Sequence, residues 1–366
     1  MPGLDGLRAL ACLMVFAVHF GQKIQFTAHW GPFDLGRLLE AGNTGVALFF
    51  TLSGFLLSLP YWRAMARLQP WPPVGRFYAL RLARIVPAFY LCLAALVAAN
   101  KLWLEDGWLQ DVVLHAAFLA NFTEATTLSI NPPFWTMAVE VQFYLLMPWL
   151  LVLVRGADVR RAAIALAVLA VLCHVGYAVF ADWGLSPTAM TTYSLGAHLP
   201  HFLLGIATAG FSAGSWHRAQ AGPASRGLLA GIWLVLLVIL STPLSDVLRL
   251  PHGRYNWPVV PVLLCAVVAL SARPAIGTRL VDWRPVRAVG AVSYGVYLFH
   301  LPVLNVMART LTAHQIDPRA HWLVFGLGSL LVTLTAAALS HAVIERPVLQ
   351  AVRRWLPAAG TRHHPT

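Results

Sequence analysis

Charge is what this sequence has least of. Asp, Glu, Lys and Arg make up 11% of its 366 residues, where about 25% is usual in a soluble domain. So few charges cannot coat a water-facing surface, and no long polar stretch remains from which a separate soluble domain could be built. Acids are the scarcer sign, 14 against 26 bases. Cysteine is scarce too. Cys12, Cys92, Cys173 and Cys265 all fall inside apolar runs without metal-type spacing, which reads as small core residues rather than disulfides or ligands. A Walker motif, a G-x-G-x-x-G after a strand, an H-E-x-x-H and a Cys/His cluster are all missing, so no metal is expected. His198 and His201 at i, i+3 supply only two ligands, a weak case for one.

What is present is apolar: 58% of the chain is hydrophobic. Several runs approach or exceed the roughly 18 apolar residues that cross a bilayer. The pattern predicts an all-α polytopic integral membrane helix bundle of about ten transmembrane helices, over 7–22, 43–60, 84–104, 134–154, 161–181, 194–212, 227–244, 256–272, 288–308 and 322–344. The membrane domain is expected over 1–350, with 351–366 a short cytoplasmic tail whose His363 and His364 are incidental. Trp108–Ala120 is apolar but short and carries Asp111 and His115, so an interfacial or re-entrant segment is expected there. No small-x-small cleavage site follows the first apolar stretch, which is expected to stay as an anchor.

With both termini placed in the cytoplasm, 19 of the 26 basic residues fall on the inner side and seven on the outer. The positive-inside bias therefore supports ten spans, and the formal net charge of +12 reads as a topology signal rather than a nucleic-acid footprint.

Polar side chains inside spans are the candidates for chemistry, because a charge at a helix centre costs on the order of 2.5–3.5 kcal/mol on insertion scales. Arg8 and His19 are eleven residues apart, which at about 100° per residue returns to within about 20° of one face. Glycines at 42 and 45 suit a turn and close helix packing ahead of Phe49 to Leu57. Ser53 in that block reads either as a nucleophile or as a backbone-bonded packing residue. Tyr78, Arg81 and Arg84 are three apart, so they are expected to line one helical face, with Arg76 just before. These guanidiniums suit phosphate, or they anchor a span by snorkelling. Pro87 is placed to kink the span that follows.

Glu140 lies in the apolar run that begins Phe134-Trp135-Thr136, with Tyr144 one turn on. It calls for a buried partner, with structural glue as the plainer reading. Ser293, Tyr297 and His300 at i, i+4, i+7 share a face, and His300 reads as a core group or as a second candidate catalyst behind His19. Glu345-Arg346 reads as a charge pair closing the bundle.

Taken in order, these blocks resemble the acyltransferase 3 family: Asp5-Gly6-Leu7-Arg8 with His19, the Gly45 to Leu56 block, Tyr78-x-x-Arg81-x-x-Arg84 through Pro87 and Tyr90, Trp135-Thr136 with Glu140 and Phe143-Tyr144, and Ser293 to Pro302. Two departures stand out: Thr136 occupies a position where serine is more usual, and an SGNH-type hydrolase domain carried by some members is absent from these residues. The resemblance implies transfer of an acyl group, usually acetyl, from cytoplasmic acyl-CoA to a hydroxyl of an envelope glycan or of a metabolite such as a macrolide. It implies a multi-pass protein of the inner or plasma membrane.

The family's arginine-x10-histidine motif falls on Arg8 and His19, and its R-x-x-R motif on Arg81 and Arg84. On that footing His19 is the expected general base, with Arg8 and Glu140 beside it, Glu140 orienting His19 or pairing with Arg8. Arg76, Arg81, Arg84 and Tyr78 are expected to hold acyl-CoA (acetyl-CoA). Ser53, Trp135, Tyr144, Ser293, Tyr297 and His300 are further candidates. A rival reading, a transporter or flippase of a lipid-linked saccharide, would also have many spans and intramembrane polar groups, but matching broken helices in two halves are not seen.

Overall fold

The computed structural model describes residues 2–182, 188–213, 223–248, 257–273 and 283–356. Arg218, Arg249, Arg254, Arg279 and Arg362 of the topology count, and the tail with His363 and His364, lie outside them.

The described chain is helical almost throughout. Its elements are α1 (Pro2–Ile24), a small hairpin of β1 (His29–Trp30) and β2 (Phe33–Asp34), α2 (Leu35–Glu40), α3 (Thr44–Ala66), α4 (Val74–Asn100), α5 (Trp108–Ala116) and α6 (Phe134–Leu153). They continue as α7 (Val159–Asp182), α8 (Ala189–Thr192), α9 (Leu195–Ala213), α10 (Pro223–Ser241), α11 (Leu244–Leu248), α12 (Val259–Ser271), α13 (Arg284–Ala291), α14 (Ser293–Ala313), α15 (Trp322–Ser340) and α16 (Arg346–Trp355). A helix satisfies its own backbone groups, which lipid cannot do, and this is why an apolar chain of this kind adopts it.

Each of the ten expected segments holds a helix. Among the described residues seven helical stretches are long and apolar enough to cross a membrane, and α13 with α14, bent by 74°, would make an eighth. Two segments differ from expectation. Val259–Ser271 has only 13 residues. Leu195–Ala213 is not among the seven: it packs most extensively on α3 and α7 and carries His198 and His201, both buried. A helix surrounded by other helices does not need a lipid-compatible surface, so its composition is freer. The outer helices show the converse, with Leu172, Leu234 and Leu327 exposed where lipid would lie.

Trp108–Ala116 is a nine-residue helix, too short to span. The third segment begins at Val74 rather than 84, so Arg76, Tyr78 and Arg81 sit inside helix. Pro87 does not break it: α4 runs from Val74 to Asn100. Glu345 does not pair with Arg346. A π-turn at His341–Glu345 buries the carboxylate, which accepts from the Ser340 hydroxyl (3.2 Å) and lies 3.3 Å from His341 Nδ1, while Arg346 is exposed. All four cysteines are free thiols.

The centre of the bundle is set by backbone approach. α3 and α9 make the most extensive helix pair. A side chain on Gly54 would run into the Phe202 carbonyl, and one on Gly205 into the Thr51 carbonyl. Gly42 and Gly45 play the same part against the Met14 and Ala11 carbonyls of α1. Both lie in helical backbone, so contact rather than turn geometry requires glycine there. A Gly54→Val substitution is expected to destabilise the protein by about 1–3 kcal/mol, the usual cost of overpacking. Gly75→Ala, with open space around it, is expected to be silent. Thermal unfolding of the two variants in detergent checks the pair.

Candidate active site

Tight packing of α3 on α1 and α9 turns the polar faces of five helices toward one cavity. Its volume is about 80 Å³. Arg8 comes from α1, Ser53 from α3, Arg81 and Arg84 from α4, Thr136, Glu140 and Tyr144 from α6, and Ser293, Tyr294 and Tyr297 from α14. Phe49, Phe50, Leu56 and Leu57 supply apolar wall. Eight of the residues singled out in the sequence thus meet at one place.

Glu140 is held by hydroxyls. Ser53 donates to its Oε1 at 2.9 Å and Tyr144 donates to the same oxygen at 2.6 Å. Ser53 therefore bonds a carboxylate across the helices, not its own backbone, and serves to fix Glu140. Glu140 neither orients His19 nor pairs with Arg8. Arg8 Nη1 makes its ion pair with Asp5 at 3.3 Å, one turn earlier on α1. The i, i+3 spacing of Asp5 and Arg8 was the available signal for that pair.

Arg81 and Arg84 have no hydrogen-bonded partner among the described residues. Arg84 and Arg81 lie close enough for their charges to act on Arg8, and those of Glu140 and Arg353 act on Arg81. Arg353, on α16, was not foreseen, and nothing in its local sequence distinguishes it. Ser293 is the first residue of α14, so the positive end of that 21-residue helix also adjoins the cavity. Three guanidiniums, one helix N-terminus and one carboxylate leave a net positive chamber with donors to spare, which suits an anion.

Arg76 and Tyr78 do not line it. Steps of three fall about 60° behind a full turn, so Tyr78 is about 120° from Arg84 and has rotated off the face. Its hydroxyl donates to the Leu145 carbonyl at 3.2 Å. Trp135 also points elsewhere, stacking on His198 with ring centroids 4.8 Å apart and lying beside Tyr193 and Phe50. Among the described residues no three His, Cys, Asp or Glu come together as metal ligands.

His19 and His300 sit next to this chamber. Tyr297, in its wall, packs edge-on to Phe49 and has its hydroxyl 2.8 Å from the Thr136 hydroxyl. Its ring lies 5.7 Å from that of His300, and His300 lies 4.9 Å from His19. His300 Nε2 is 3.1 Å from His19 Nδ1. His300 is buried, whereas His19 is half-buried, and no described residue hydrogen-bonds its Nε2. The first helix thus carries Arg8 into the chamber and His19 into a histidine pair beyond Tyr297.

These features define a class: a multi-pass helical membrane protein with a basic, carboxylate-bearing chamber between its helices and an accessible imidazole beside it. The chain belongs to the acyltransferase 3 family, whose model, an acyltransferase domain, matches residues 1–339. It is 25% identical over 373 residues to the peptidoglycan O-acetyltransferase OatA of Listeria monocytogenes, covering 95% of this chain and 56% of that protein. It is 27% identical over 404 residues to the acyltransferase MdmB of Streptomyces mycarofaciens, covering 98% and 94%. The O-acetyltransferase OatA of Staphylococcus aureus is 22% identical over 367 residues, covering 95% and 57%. The chain therefore spans little more than half the length of the first curated relatives it matches. No solved structure matches it.

Proposed function

We propose that this chain is a membrane O-acyltransferase. It takes an acyl group, acetyl in the simplest case, from acyl-CoA and places it on a hydroxyl of a cell-envelope or exported glycan, or of a secondary metabolite such as a macrolide. The observation that carries the reading is the convergence of Arg8, Arg81 and Arg84 on one cavity beside an imidazole with a free nitrogen. The relatives named O-acetyltransferases support the same class.

The charge bias of the sequence supports a cell-membrane protein with both termini in the cytoplasm. In that orientation the arginine chamber faces the compartment that holds acyl-CoA. Arg81 and Arg84 would take the donor's phosphates, with Arg8 as a third cation. A cavity of about 80 Å³ is smaller than the roughly 300 Å³ typical of small-molecule sites. The helices therefore part to admit the donor, whose thin pantetheine arm would pass Phe49 and Tyr297 to bring the thioester to His19. There the acceptor hydroxyl gives its proton to His19 Nε2 and its oxygen attacks the thioester carbon. The C–S bond breaks, and the departing CoA thiolate recovers the proton as a thiol. A near-neutral base is suited to both transfers.

The test is purified protein in detergent with acetyl-labelled acetyl-CoA, together with mass spectrometry of envelope glycans and secreted metabolites from cells with and without the gene. Thioester turnover and a one-acetyl mass difference are expected. No turnover, with saccharide-lipid translocation in vesicles instead, would make the chain a transporter.

A further inference from the structure

We infer that His300 is the positioning residue for His19, accepting a hydrogen bond from the His19 Nδ1–H and so keeping the basic lone pair on Nε2. This inference deepens the proposed function and rests on its assignment of His19 as the base.

Two backbone carbonyls, which can only accept, set the protons of both rings. His300 Nδ1 lies 2.6 Å from the Tyr297 carbonyl oxygen. A carbonyl has no proton to give, so His300 carries its own on Nδ1. A neutral imidazole holds one N–H, which leaves His300 Nε2 as an acceptor. That nitrogen is 3.1 Å from His19 Nδ1. His19 Nδ1 is also 2.9 Å from the Val15 carbonyl oxygen. Both neighbours of His19 Nδ1 are therefore acceptors, and the proton of a neutral His19 belongs on Nδ1. Its Nε2 is left bare on a ring that is only half-buried, the state a general base requires.

The two acceptors do different things. The Val15 carbonyl, one turn back on the same helix, holds the ring in place. The His300 imidazole nitrogen, reaching in from α14, is a second acceptor for the same N–H and the stronger hydrogen-bond base of the two. When His19 Nε2 accepts the substrate proton, the Nδ1–H becomes more acidic, and the lone pair facing it stabilises the imidazolium. Tyr297 fixes this arrangement, because its backbone carbonyl sets the His300 tautomer while its ring closes the chamber wall. His300 is buried where His19 is only half-buried, so it has no route to the substrate of its own.

Two variants separate positioning from packing. His300→Leu removes the acceptor, while the Val15 carbonyl still holds the His19 ring. It is expected to lower kcat roughly 100-fold, the lower end of what general-base catalysis contributes, with KM for acetyl-CoA unchanged because the arginines are untouched. His300→Gln returns an acceptor oxygen near the Nε2 position and is expected to recover at least about tenfold of that loss. A Leu variant as active as the wild type, or a Gln variant no better than Leu, overturns the inference. A measurement on unmutated protein stands beside these. Nitrogen-15 NMR of histidine-labelled protein, with the His19 signals assigned by their loss in His19→Ala, should show His19 protonated on Nδ1 and bare on Nε2. The opposite tautomer overturns the inference whether or not the variants fold. Full activity of His19→Ala would instead remove the base assignment, and the NMR result would still decide the tautomer.

Discussion

A His19→Ala protein is expected to insert normally and to lose acyl transfer by about 10²–10⁴-fold, the range that general-base catalysis supplies. His19 is the one candidate with both a suitable atom and access to it. Its Nε2 is unbonded, its ring is held by the Val15 carbonyl and His300, and it is only half-buried. Glu140 is the obvious competitor, but its Oε1 already accepts two hydroxyls and its charge faces Arg81. Turnover of labelled acetyl-CoA, measured on protein that elutes as wild type in size exclusion, checks the expectation. A variant with full activity would end the assignment of His19 as the base.

Replacing Arg81 and Arg84 together by alanine is expected to weaken acyl-CoA binding far more than acceptor binding. A hydrogen bond to a charged group is worth about 1.5–3 kcal/mol, so each arginine lost should cost roughly 10- to 150-fold in affinity. Lysine at these sites keeps the charge but not the paired donors and should restore only part of the loss. Arg76→Ala is the internal control. It sits on the same helix but outside the chamber, so its effect should be small. Calorimetric titration of the four variants with a non-hydrolysable acyl-CoA analogue separates these outcomes. Unchanged affinity in the double variant would leave Arg81 and Arg84 as topology anchors.

Much of this site was legible in the sequence for a simple reason. In lipid an arginine, histidine or glutamate is costly wherever it stands, so each one marks itself without reference to its neighbours. Arg8, His19, Arg81, Arg84, Glu140 and His300 were found that way, and the helical period placed Arg8 with His19, and Ser293 with Tyr297 and His300, on shared faces. The same period, followed too loosely, put Tyr78 with Arg84. A step of three is not a full turn, and the error grows with each repeat.

What the sequence could not carry was partnership. Glu140 was matched on paper with Arg8 or His19, yet in the fold it takes Ser53 and Tyr144. Arg8 takes Asp5. His300 meets His19 across 281 residues of chain. Arg353 reaches the neighbourhood of Arg81 because α16 folds back along α4.

By itself the sequence determined the helical class, the placement of the ten apolar segments and the identity of the costly side chains. These follow from apolarity and a 3.6-residue period, which are local properties of the chain. Only the tertiary structure decided which side chains share the chamber, which imidazole nitrogen is left bare and why Leu195–Ala213 packs on α3 and α7. Those outcomes depend on how each helix is rotated against its neighbours. Backbone approaches such as Gly54 on Phe202 and Gly45 on Ala11 set that rotation between segments distant in sequence.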